Sequence, residues 1–346
     1  MHEDRPASTD RFAHASALAG AVALAALSIV PRAQLTQIDL VERLLVLGPL
    51  VGVPLGLSLS LHGAISRDDS QWIRALCRAQ PLLALSALVS VLLPAGRAAA
   101  IASAPWLAFC AAVGLVGARR AWARLRSGTA RLSEPRFALD AALVYLPVGG
   151  LWNTLARAGA RPLGFDDAIV RLTAVHFHFA GWVAPLFAAR LAIALEQSDS
   201  ARAQRVSLAA LWITVIGPGL VGGAITVTQL TGSASAELVS AAALAATLVT
   251  IGALTIRAAF SLVKSRLARL CLAASSAALA LTMTLAVLYA YARVTHGAWP
   301  SIPFMARWHG TANALAYAGL GLLGWTIEDL GRTRDRSSAQ NTRDSR

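Results

Sequence analysis

The chain has 346 residues, of which 56% are hydrophobic and 14% charged, whereas a soluble domain carries roughly 25% charged residues. Together with a mean hydropathy of +0.58, this argues against a string of soluble domains and for a polytopic membrane bundle. The net charge of +13 does not signal nucleic-acid binding, because the arginines sit in short segments between apolar runs, without interleaved aromatics or a binding module.

Crossing a bilayer takes about 20 mostly apolar residues. Ten stretches qualify, approximately 12–30, 43–62, 75–94, 99–117, 137–157, 169–189, 206–229, 236–258, 268–292 and 303–327. The expected fold is all-α, a transmembrane helix bundle of about ten helices. Residues 1–330 are expected to form one transmembrane domain, with halves at 1–117 and 137–330. The polar residues 331–346 read as a disordered cytoplasmic tail. The first stretch is kept as a helix, not a signal peptide, because Glu3, Asp4 and Asp10 precede it and "VPRAQ" is a poor cleavage site.

The loop charges orient this bundle. With the N-terminus cytoplasmic, 23 basic residues fall inside and 8 outside, the largest group being the six arginines of "ARRAWARLRSGTARLSEPR". That asymmetry follows the positive-inside rule and expects both termini in the cytoplasm of a bacterial inner membrane. Cys77, Cys110 and Cys271 lie singly in or beside apolar runs, with no CxxC spacing, and read as small core residues.

Ionisable groups inside membrane segments are costly, so each is a functional hypothesis. In the expected orientation they gather toward the outer leaflet of the last six helices. Helix five ends with Trp152 and Asn153, and Asp166, Asp167 and Arg171 lead into helix six, which carries His176 and His178. Helix seven ends with Thr226, Thr228 and Gln229, and Glu237 follows in the next loop. Helix nine ends with Tyr289, Tyr291, Arg293 and His296. Helix ten begins with Arg307, Trp308, His309 and Asn313. At the inner ends the polar residues are mostly loop arginines, with Asp140 and His62 as exceptions.

Helical spacing sorts these groups. Asp167, Arg171 and His178 fall on one stripe, Tyr289, Arg293 and His296 on a second, and His309 and Asn313 on a third. His176 lies about 200° around the helix from His178, so the pair cannot share one metal, unlike histidines four residues apart. At most one of the two should face a common cavity while the other ties helix six to a neighbour, and His178, beside Arg171, is the better lining candidate. A structural reading stands next to this one. Tyr, Trp and Arg are enriched at membrane interfaces, and Asp166 and Asp167 suit a helix N-terminus.

The string "LGFDDAIVRLTAVHFHFAGW" resembles the signature of the YndJ-like bacterial membrane proteins, and "IDLVERLLVLGPLVGVPLGL", residues 38 to 57, is similar to an early helix of that family. The resemblance implies a membrane fold and singles out His176 and His178. It implies no reaction, since that family has no established biochemical function.

The residues favour an integral membrane enzyme doing acid/base chemistry, such as isomerisation, cyclisation or hydrolysis, on a lipophilic small-molecule substrate met in the lipid bilayer. Imidazole titrates near working pH and can serve as acid or base. The catalytic candidates are His178, His176, Arg171, Asp167 and His309. Asn153, Gln229, Tyr289, Arg293, Arg307 and Asn313 are the substrate-binding candidates, and no metal or cofactor is assigned. One alternative is a haem or metal-binding oxidoreductase using His176 or His178 with His309. Another is a transporter or sensor, since "LVYLPVGGLW" and "VIGPGLVGG" are Pro/Gly-interrupted. The chain has no Gly-rich phosphate loop, GxSxG elbow, HExxH or Asp-rich prenyl-diphosphate motif.

Overall fold

A computed structural model describes residues 7–29, 39–60, 67–128 and 134–344, and all regular structure among them is helical. Ten helical segments follow in chain order: α1 (Ala7–Ile29), α2 (Leu40–Ser60), α3 (Arg67–Leu92), α4 (Arg97–Arg126), α5 (Pro135–Ala158), α6 (Asp167–Leu195), α7 (Ala201–Thr231), α8 (Ser235–Leu262), α9 (Arg266–Val294) and α10 (302–344). Of these, α2, α3, α4, α6, α7, α8 and α9 are long and apolar enough to cross a membrane. His62, singled out from the sequence, lies outside the described residues.

Local chemistry sets the ends. Asp39 caps α2 in a reciprocal box with Glu42: the Asp39 carboxylate accepts from the Glu42 N–H at 3.0 Å, and Glu42 accepts from the Asp39 N–H at 3.2 Å. Ser200, Ser265 and Ser301 start α7, α9 and α10 by accepting a backbone N–H three residues on. Gly159 and Gly232 stop α5 and α7 in the left-handed conformation, at φ of 69° and 75°. The tail differs from expectation. Helix α10 continues to Asp344, since no proline or glycine follows Gly331, and Arg332 bonds Glu328 one turn back at 3.0 Å.

Three helices depart from regular α geometry. Residues 48–52 of α2, and 306–310 and 312–320 of α10, form π turns, a widening that recurs at functional sites. Helix α6 breaks between Phe179 and Val183. Gly181 occupies that break, where a Cβ would come within 2.7 Å of the Phe177 ring.

Helix α6 is the axis of the bundle, touching α2, α5, α7, α8 and α10. Consecutive helices pack pairwise around it, α10 closes against α2, and α1 covers α2 and α3. The α4–α5 contact is closest where glycines let backbones approach. A Cβ on Gly114 would lie 2.3 Å from Pro147, and one on Gly117 2.6 Å from the Asp140 carbonyl. Gln80 of α3, fully buried, donates to the Pro49 carbonyl of α2 at 2.6 Å and accepts from Ser16 of α1 at 2.8 Å, locking those three helices together.

Several arginines that resemble loop charges in the sequence are buried. Helix α4 runs past its apolar stretch, so Arg120 and Arg124 meet Asp140 of α5, each through Nε, at 2.7 and 2.8 Å. All three side chains are nearly inaccessible. Arg190 of α6 pairs with Asp329 of α10 and lies over the Trp325 ring. Buried charges hold only when paired in this way.

Candidate functional site

The two histidines of α6 face opposite ways, as their spacing requires. His178 points away from the larger cavity, which corrects the preference for it as the lining residue. Its Nδ1–H donates to the Ala174 carbonyl at 2.8 Å, and its Nε2 accepts the Trp106 indole N–H of α4 at 3.1 Å. A carbonyl can only accept, so the tautomer is fixed and both ring nitrogens are occupied. The ring stacks on Trp106 at 6.0 Å and is 1% exposed. Glycines of two other helices make its socket: a Cβ would meet His178 at 3.2 Å from Gly48 and at 2.7 Å from Gly149. Gly149→Ala is therefore expected to destabilise the protein by about 1–3 kcal/mol through overpacking, seen as a lower melting temperature in detergent.

His176 lines a cavity of about 470 Å³, open on one side, among α5 to α10. Its walls are mostly Val, Leu, Ile, Ala, Gly and aromatic residues, with His176, Glu237, Tyr289, His309, Asn313 and Tyr317 as the principal polar groups. A mainly apolar chamber with a few converging polar atoms is the usual form of a small-molecule site. His176 Nε2 is buried without a hydrogen-bond partner. His309 is occupied: Nδ1–H donates to the Thr282 carbonyl of α9 at 2.8 Å, leaving Nε2 to accept from the Asn313 amide at 3.1 Å. Thus one lining histidine is committed to protein partners and the other has a buried ring nitrogen without one. Among the described residues, no three His, Cys, Asp or Glu side chains converge as metal ligands.

The remaining sequence candidates divide. Tyr289 and Asn313 line the cavity. Arg293, about half exposed, reaches the rim and approaches the Glu237 carboxylate at 3.9 Å. Arg171 does not pair with Asp167, as their four-residue spacing suggested, but with Asp39 of the α2 cap, 132 residues away, at 2.6 Å. Asp167 instead takes Arg161 in a two-pronged pair at 2.9 and 3.1 Å, and this bond pushes the exposed Arg161 guanidinium above its ordinary value. Gln229 is exposed and reaches the Leu163 and Gly164 carbonyls at 3.4 and 3.3 Å. Arg307 is exposed, Asn153 is buried, and neither lines the cavity.

Two cavity groups escaped selection from the sequence. Glu237 is 5% exposed and lines the wall near the start of α8; an acid in the first turn of an apolar helix was its signal. Tyr317 is 6% exposed with its hydroxyl unpartnered, and its signal was the four-residue step from His309 through Asn313.

The described residues form an all-helical bundle with seven membrane-length helices and buried polar groups, which defines a multi-span membrane protein. The sequence model of the YndJ-like protein family matches residues 43–317, and the chain belongs to that family. A curated relative from Bacillus subtilis (strain 168), described as "Uncharacterized membrane protein YndJ", is 26% identical over 188 residues. The match covers 54% of this chain and 32% of the relative, so the chain spans about a third of that protein's length. No solved structure matches.

Proposed function

We propose that the chamber bounded by α5 to α10 is a site for a lipophilic small molecule, and that His176 is its acid/base group. The observation carrying this reading is that His176, whose buried Nε2 has no hydrogen-bond partner, lines a mostly apolar space of about 470 Å³. An imidazole nitrogen free of protein partners can take a proton from a bound molecule or return one, as isomerisation, cyclisation and hydrolysis require. The His309–Asn313 pair orients the polar part of the molecule, and Glu237 with Arg293 marks the chamber's polar rim. In this reading His178 and Arg171 are positioning residues: one anchors α6 to α4, the other anchors it to the α2 cap. The orientation that fits the loop charges puts both termini in the cytoplasm and the rim toward the outer face of a bacterial inner membrane.

The test uses the full chain purified in mild detergent, with organic extracts of wild type and His176→Ala compared by mass spectrometry. The expected result is a co-purifying lipid in wild type and its chemically distinct precursor on the variant. Identical extracts from the two proteins would defeat the reading. The break in α6 and the π turns of α10 beside the chamber support a second reading, a transporter or sensor. In that case His176→Ala changes the amount of the bound molecule but not its chemistry.

A further inference from the structure

The class of molecule is narrowed by the charges and unsatisfied atoms of the chamber. We propose that it takes an uncharged, elongated lipid bearing an alcohol or carbonyl oxygen, and discriminates against the phosphorylated form of the same lipid. This inference rests on reading the chamber as a binding site.

The first support is electrostatic. Among the described lining residues there is no lysine or arginine, and the one formal charge belongs to Glu237. A phosphate or carboxylate entering would lose its water, meet no cation on the walls and face that carboxylate. The nearby arginines offer no relief. Arg171 holds Asp39, Arg161 holds Asp167, Arg307 lies outside the lining, and Arg293 is turned to Glu237 at 3.9 Å.

The second support is the pattern of unsatisfied atoms. Tyr317 and His176 both line the chamber, and Tyr317 Oη and His176 Nε2 are each buried with no hydrogen-bond partner. Buried polar atoms in native proteins ordinarily have partners. The phenol can donate to a ligand oxygen, and the imidazole nitrogen can receive or supply a proton at a hydroxyl or carbonyl. A neutral oxygen function satisfies either atom without bringing a charge.

The third support is shape. The wall runs from Glu237 to Leu248 on α8 and from Leu279 to Ala290 on α9, which at 1.5 Å per residue makes a chamber about 16 Å long. Glu237 and Tyr289 mark one end and Tyr317 lies toward the other, with apolar walls between them. That outline fits a chain-like lipid.

The experiment measures binding of radiolabelled farnesol and farnesyl phosphate, matched except for the phosphate, to the full chain in nanodiscs. Farnesol is expected to bind saturably, and farnesyl phosphate at least about tenfold more weakly. Tyr317→Phe keeps the ring against Phe187 and is expected to weaken farnesol about three- to tenfold. Equal or tighter binding of farnesyl phosphate, no saturable farnesol binding, or unchanged farnesol affinity in Tyr317→Phe would each overturn the proposal. The probe comparison requires no variant, so poor folding of Tyr317→Phe leaves it decisive. If the proposal fails while His176→Ala still changes the co-purifying lipid, the chamber remains a site and only the class assigned to its ligand falls.

Discussion

His178→Ala is expected to lower stability by about 2–5 kcal/mol, far more than His176→Ala, although the two histidines sit two residues apart on one helix. Removing the His178 ring does two things. It leaves the Trp106 indole N–H buried without an acceptor, and it opens a void between α6 and the glycines at 48 and 149. Neither defect can be relieved by water in a packed bundle. Removing the His176 ring enlarges an existing cavity and breaks no hydrogen bond within the protein. Melting curves of both variants by fluorescence-detected size exclusion make the comparison. If His178→Ala melts with wild type and His176→Ala does not, the assignment of the two faces is reversed.

Asp140→Ala is expected to be comparably severe, costing about 3–5 kcal/mol. The Asp140 carboxylate is shared by Arg120 and Arg124 across the α4–α5 contact. Without it, two guanidinium groups at the buried contact lose their shared counter-ion, a far worse state than never having buried a charge there. Loss of the monodisperse peak in the same assay is the expected outcome. Asp140→Asn keeps hydrogen-bond acceptance but not charge, and should fall between wild type and Ala. A variant as stable as wild type would show that Asp140 is not needed to hold these arginines.

The helix bundle was legible because spanning a bilayer demands length and apolarity together, and seven of the ten described helical segments meet that demand. That His176 and His178 diverge was also legible, since a helix turns about 100° per residue. Which of them meets the cavity was not. Helix α6 is surrounded, with 83% of its apolar window buried, so both of its faces look alike in hydrophobicity and a pattern of polar and apolar residues carries no direction. Arg171 made the same error plausible: its partner Asp39 comes from α2, and a local spacing rule can nominate only Asp167. Arg120 and Arg124 read as solvated loop charges because the apolar run ends at residue 117, whereas the helix continues to Arg126 and carries them against Asp140. The π turn of α2 coincides with Gly48, Pro49 and Gly52, whereas those of α10 leave only Gly310 and Gly319 as a trace.

The socket around His178 also bears on how this family can diverge. Gly48, Gly149 and the imidazole come from three separate stretches of chain, yet they fill one space, and none can enlarge unless another shrinks. The three positions therefore form a single unit of inheritance. In a relative that has replaced the histidine by a smaller side chain, the glycines are released to acquire side chains of their own, and Trp106 must find another acceptor or give way to an aromatic without a donor. His176 is bound by no such contract with its neighbours, and under the proposed function it is free to change with the ligand.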